Sequence, residues 1–183
     1  MTFIPSTPSE SVKVPCYEDA KASDGWQGQT TTKSVKVLQS EISAAIGRLN
    51  GNVSSFQEGT FEIGKDKRRG FRIHYMVSTP SGSPIPGRID IAALPIKISW
   101  RQKRTEKTRQ EKSLRMALYM ARIAFEGSWF LMQLSPGYAP MIPFMLANQD
   151  KTVSQMWSDS PAMKMLAPPS DAEFVEAVVI SKK

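Results

Sequence analysis

A single cysteine, Cys16, and a single histidine, His74, are all that this 183-residue chain has of either type. One cysteine closes no disulfide within the chain and builds no cysteine-rich zinc site. It suits a reducing compartment, so a cytoplasmic location is expected. His74 can serve as a general base only beside a nucleophile, and no serine or cysteine motif with a defined base partner is present. Cys16 lies away from any periodic element and reads as an inert thiol. No glycine-rich phosphate cradle exists either, because SGSPIPG places prolines where backbone donors are needed. The amino terminus has no basic segment followed by a continuous apolar run, so no secretory signal is expected.

Specialised nucleic-acid motifs are also missing. Nothing resembles an aromatic ribonucleoprotein motif, a helix-turn-helix or a zinc finger, which argues against reading of base sequence. Carboxylates that might converge on a metal are few: Glu62 and Asp90, with Lys97, lie on neighbouring predicted strands. The interval from Asp90 to Lys97 is not that of the common nuclease signature. No metal ligand, catalytic residue or cofactor is therefore assigned, and a metal-dependent nuclease-like enzyme is kept as a third reading.

What the chain does have is positive charge. Twenty-four Lys and Arg against seventeen Asp and Glu leave a formal net charge of +7, which attracts nucleic acid, an anionic membrane or an acidic protein. Hydrophobic residues at 40% and charged residues at 22% place the bulk of the chain among folded proteins rather than disordered ones. The length suits one domain. Residues 1–31, rich in Ser, Thr, Pro and Gly, read as an extended arm, either free or docked through Val12, Val14, Tyr17 and Trp26. Residues 32–183 read as a single α+β domain.

Periodicity supplies the elements of that domain. Val35, Leu38, Ile42, Ile46 and Leu49 repeat at helical spacing, with a cap among Thr31 to Ser34 and Gly51 suited to the left-handed residue that ends the helix. From Val53 the period becomes two. Phe61 and Ile63 predict one strand, and Phe71, Ile73, Tyr75 and Val77 predict a second across the seven-residue basic loop GKDKRRG. Ile89 and Ile91 predict a third strand, which completes an antiparallel meander. Pro95 interrupts it, so that Ile96, Ile98 and Trp100 form a kinked continuation or an edge strand.

A long amphipathic helix is expected from Arg101 to Arg122, packed on the sheet. At 100° per residue, Arg101, Arg104, Lys112, Arg115 and Arg122 share a sector of roughly 80°, opposite Leu114, Met116, Ala117, Leu118, Met120 and Ala121. A stripe about 32 Å long can follow several phosphates of one strand, with Thr108 and Tyr119 in the same sector. Glu106 to Arg109 and Glu111 to Arg115 are at ion-pair spacing, as on any solvated helix face. The excess of cations over 101–115 favours a polyanion. Lys65, Lys67, Arg68 and Arg69 at the hairpin tip form a second basic cluster.

From Gly127 to Gln149 no residue is charged. Such a run approaches the length of a membrane-crossing helix, but Pro136, Gly137, Pro140 and Pro143 break it, and interrupted backbone is costly in lipid. Burial in an irregular apolar carboxy-terminal region, or at a subunit interface around Met141, Phe144 and Met145, is expected instead, with no membrane contact. A short helix is expected within KTVSQMWSDSPAMKMLAPP, ahead of a Pro-rich stop, and residues 173–180 suit a helix or a final strand equally. These features point to a non-catalytic nucleic-acid-binding subunit that contacts phosphate backbone with little sequence specificity, within a homo- or hetero-oligomeric or nucleoprotein assembly. The alternative is a structural or adaptor protein that docks a protein partner through the apolar 127–149 segment.

Overall fold

The computed structural model describes residues 14–63, 66–78, 83–97, 105–135, 137–148 and 150–160. In chain order these form helix α1 (Val35–Arg48), strands β1 (Gly51–Ile63), β2 (Asp66–Ser78) and β3 (Pro84–Ala92), the long helix α2 (Glu106–Leu134) and the short helix α3 (Val153–Asp159). The strands make one antiparallel sheet in the order β1-β2-β3, and α2 packs against β2, β3 and α1. The α+β architecture with a three-stranded meander and a long helix on it is therefore as the periodicities indicate.

Ser34 starts α1, its hydroxyl accepting the Val37 amide at 3.3 Å, and Leu38, Ile42, Ala45 and Ile46 turn inward. The helix does not end on Gly51 as expected. Asn50 takes the left-handed conformation at φ 64°, a position asparagine tolerates better than most residues, and Gly51 opens β1. Gly51 is needed for space instead, because a Cβ there would sit 2.6 Å from Cγ2 of Ile46.

β2 is the central strand and carries the strictest alternation, with Phe71, Ile73, Tyr75 and Val77 all buried. β1 behaves differently along its length. Its register shifts between Val53 and Ser55, and Val53 and Phe56 pack on the core whereas Ile63 is exposed, contrary to its expected inward phase. The first hairpin also closes more tightly than expected. Ile63 pairs with Asp66, so Lys67, Arg68 and Arg69 belong to β2 rather than to a seven-residue loop. Ladder hydrogen bonds and cross-strand charge pairs outweigh the turn-forming character of that sequence.

The main core lies between the sheet and the two helices, where Leu38, Ile46, Ile73, Tyr75, Leu114 and Leu118 meet. Burying a side chain of this size stabilises by about 1.5–3 kcal/mol. A second cluster joins Tyr17 and Ala20 of the amino-terminal segment to Leu94, Met116 and Ala117, with Trp26 and Ile96 partly buried against it. From residue 14 onward the arm is thus docked rather than free.

α2 departs most from expectation. Residues 101–104 lie outside the described residues, and the helix continues past Gly127 to Leu134. One glycine in a helix interior costs about 1 kcal/mol against alanine, too little to stop a ladder that Trp129, Leu131 and Met132 prolong. Pro136 does stop it, since proline disfavours helical backbone in the residue before it, and Ser135 is already extended. Beyond, the chain returns to the edge of β3 through the Leu146 amide, which donates to the Pro86 carbonyl at 2.9 Å. α3 follows as expected, started by a capping box of Thr152 and Gln155. The expected helix or strand at 173–180 lies outside the described residues.

Candidate nucleic-acid interface

The basic residues of α2, those of the expected stripe together with Lys107 and Arg109, divide according to what packs beside the helix. Lys107 and Lys112 are exposed, and neither makes an ion pair among the described residues. Arg109 turns toward the docked arm, with its guanidinium 2.5 Å from the Glu18 carboxylate and 2.8 Å from the Lys97 carbonyl. Arg115 is half-buried on the same side, with Nε shielded and without an acceptor among the described residues. Arg122 lies under α1, 3.6 Å from Glu41 and 3.4 Å from Glu126, with its guanidinium carbon 5.0 Å from the Tyr119 ring centre. Arg101 and Arg104 fall outside the described residues. Of the described basic members of the expected stripe only Lys112 is exposed, and the expected open ridge reaching Arg122 is replaced by intramolecular packing. Glu106 accepts a hydrogen bond from Gln110 at 3.2 Å.

The hairpin cluster lies near that same end of α2. Lys67 pairs with Glu62 at 3.1 Å, Arg68 with Asp66 at 3.3 Å, and Arg69 with Glu58. Lys65 is outside the described residues. Although the hairpin end and the start of α2 are some forty residues apart in the chain, they border one cleft of about 400 Å³. Lys67, Arg68 and Arg69 make one wall, Glu106 and Gln110 another, and the segment after β3, Ala93 to Ile96, makes an apolar floor.

The floor is held in place from behind. The Tyr17 amide donates to the Pro95 carbonyl at 2.7 Å, the fully buried Ser113 hydroxyl donates to the Leu94 carbonyl at 2.8 Å, and the Ala93 amide donates to the Arg69 carbonyl at 2.8 Å. The Glu18 carboxylate accepts the Lys97 amide at 3.0 Å and Lys97 Nζ is 2.6 Å from Asp19. Burial opposes ionisation of Glu18, yet hydrogen bonds from the Lys97 amide, its own amide and Arg109 outweigh it and hold the carboxyl below its ordinary value. Burial raises the neighbouring Tyr17 phenol, and Glu18 raises it further. Nothing in the sequence marks these second-layer contacts, because Glu18 and Arg109 are ninety-one positions apart.

The three candidates for a nuclease centre are held apart. Glu62 pairs with Lys67 at the hairpin end. Asp90 accepts two hydrogen bonds from Arg72 at 2.8 and 3.0 Å, with Arg88 3.6 Å away, and Lys97 is paired with Asp19. Among the described residues no three His, Cys, Asp or Glu side chains are grouped to hold a metal ion.

The uncharged segment is also redistributed. Met141 is buried, its carbonyl accepting a long 3.4 Å hydrogen bond from the Tyr75 hydroxyl, while Phe144 packs edge-on to Phe125 and Met145 is partly buried on the core. These three expected interface residues face inward. The large apolar groups left exposed are Leu134 at 81%, Phe130 at 59% and Trp157 at 51%, with Leu131 and Ile142 nearly half open. Among the described residues no helix is long and apolar enough to cross a membrane. Comparison with protein-family models, curated proteins and solved structures finds no match to this chain.

Proposed function

We propose that the protein is a non-catalytic nucleic-acid-binding subunit that engages phosphate backbone, with little preference for base sequence, through the end of the molecule where the first hairpin meets the start of α2. One observation carries this reading. Two basic segments distant in the chain, Lys67 to Arg69 and the start of α2 with Lys107 and Lys112, lie at the same end of the fold. In the sequence Arg101, Lys103 and Arg104 immediately precede that helix, and Lys65 precedes the hairpin residues. The ion pair made by Lys67 is largely exposed and that of Arg69 partly so, and exposed pairs contribute only about 0–1 kcal/mol, so phosphates can compete with their carboxylates. Each phosphate neutralised releases condensed counterions, so binding must weaken as salt rises.

The test is fluorescence anisotropy of labelled single- and double-stranded oligonucleotides over a salt series. Binding is expected to be sequence-tolerant and to fall steeply with salt. The Lys107→Glu/Lys112→Glu double variant should lose it while keeping the thermal unfolding midpoint. Binding that is insensitive to salt, or unchanged in this variant, removes the reading.

The exposed Phe130, Leu131 and Leu134 favour a second reading, an adaptor that docks a protein partner through the carboxy-terminal end of α2. Both readings hold together if this surface builds the assembly in which nucleic acid is bound. Sedimentation of the purified protein alone tests whether the surface joins copies of the chain.

A further inference from the structure

We infer that the cleft between the hairpin end and α2 is a binding site for a single nucleotide, with its phosphate on the arginine wall and its base on the floor formed by Leu94, Pro95 and Ile96. The inference rests on the reading of the protein as a nucleic-acid binder and gives that surface a specific ligand class. Three properties of the cleft support it. The first is size, since about 400 Å³ lies within the range of small-molecule sites and suits one nucleotide rather than a duplex. The second is the division of its lining. Lys67, Arg68 and Arg69 bring cations to the lining, and the partly exposed Pro95 and Ile96, beside the buried Leu94, bring aliphatic surface for the face of a planar ring. Gln110 on α2 offers an amide able both to donate and to accept at the edge of a base.

The third property is preorganisation. The Leu94 and Pro95 carbonyls are tied to Ser113 and Tyr17, so the floor is set before any ligand arrives, and little ordering cost remains. Arg68 contributes in the same sense. Its side chain is 14% exposed and its terminal nitrogen is paired with Asp66, but its Nε is shielded and has no acceptor among the described residues. A phosphate on this wall would meet the terminal nitrogens of the guanidinium, in competition with Asp66, rather than the enclosed Nε. Two carboxylates, Asp66 and Glu106, also line the cleft, and each is engaged by a neighbour, Arg68 and Gln110 respectively. The floor has no aromatic ring, so the base would be held by shape and aliphatic contact.

The nucleotide can be a free molecule or one residue of a strand, and the chemistry of recognition is the same. Calorimetric titration of the full chain with AMP, adenosine and inorganic phosphate separately tests the site. AMP is expected to bind saturably and more tightly than either fragment. Ile96→Asp and Gln110→Leu should each weaken AMP by about tenfold or more with unfolding midpoints close to the parent. Arg68→Gln should do the same, and if it fails to fold the other two variants still decide the matter. Phosphate binding as tight as AMP, or AMP binding unchanged in the variants, overturns the inference.

A fluorescent oligoadenylate then separates the two sources. Displacement by AMP assigns the cleft to a nucleotide of the strand, whereas AMP binding without displacement assigns it to a free nucleotide, and either supports the site. Salt-sensitive oligonucleotide binding that survives Ile96→Asp and Gln110→Leu, with no AMP binding, overturns this site and leaves the broader reading in place. AMP binding without any oligonucleotide binding does the reverse.

Discussion

The guanidinium of Arg109 lies 2.5 Å from the carboxylate of Glu18, joining α2 to the amino-terminal segment across ninety-one residues of chain. Both side chains are mostly buried, and Glu18 also accepts the Lys97 amide at 3.0 Å. The contact makes the anchor of the arm out of a cation that the sequence pairs with Glu106 on a solvated helix face. It also fastens the segment that follows the floor of the cleft.

That anchor is pH-dependent. Because the folded-state value for Glu18 is below the ordinary 4.5, its ionisation stabilises the docked arm at and above that pH, and the contribution is lost as pH falls through the lowered value. Acidification below about pH 4.5 should therefore weaken the docking of the arm, seen as a lower unfolding midpoint with a change in Trp26 fluorescence. The Glu18→Gln variant should show the weakened docking already at neutral pH and little further change from this group on acidification. An identical acid transition in parent and variant would remove the assignment.

Ser113 is fully buried on α2, and its hydroxyl donates to Leu94 at 2.8 Å. Ser113→Ala leaves that carbonyl without its donor in a closed environment and should cost about 1–3 kcal/mol in urea unfolding. Ser128→Ala is the control, because its hydroxyl donates to Ala124 within the same helix at an exposed position. It should be nearly neutral.

Gly87 lies opposite Tyr75 in the sheet, and a Cβ at that position would be 2.1 Å from Cζ of the tyrosine ring. The ring is fully buried and has nowhere to retreat. Gly87→Ala should destabilise by about 1–3 kcal/mol or more through overpacking. Gly59→Ala, on an exposed stretch of β1 with open space around the new methyl, should not. Comparison of the two unfolding midpoints checks the packing.

Leu134 and Met141 belong to the same uncharged segment and are predicted to respond oppositely to a charge. Leu134→Asp alters a side chain that is 81% exposed and should leave folding intact while abolishing any self-association through that surface. Met141→Asp places a carboxylate in the core beside Tyr75 and Phe125, a burial without a partner, and should unfold the domain. Sedimentation and circular dichroism on both variants distinguish surface from core.

Helical repeats in 35–49 and alternation in 71–77 are enough to place α1 and the central strand, because an element that buries one face must repeat its apolar residues at its own period. α3 is legible for a similar local reason, a capping box at Thr152 and Gln155. The same local logic ended the helix at Arg122, whereas α2 runs on to Leu134, two residues before Pro136. It also gave the hairpin a loop, where cross-strand pairs carry the strands to Ile63 and Asp66.

The sequence by itself determined the class of fold, the sign of the surface charge and the segments where cations concentrate, since each depends on composition or on neighbours within a few residues. Only the tertiary structure decided which of those cations meet solvent. Arg122 shares the helical sector of Lys112 in the sequence, yet it is taken up by Glu41 of α1, and Arg109, just outside that sector, is taken up by Glu18 of the arm. The cleft is tertiary for the same reason: its walls come from a hairpin, a post-strand segment and a helix that touch only when the core has formed. Exposure of a charged group is set by what packs beside it, and packing partners distant in the chain leave no mark on local periodicity.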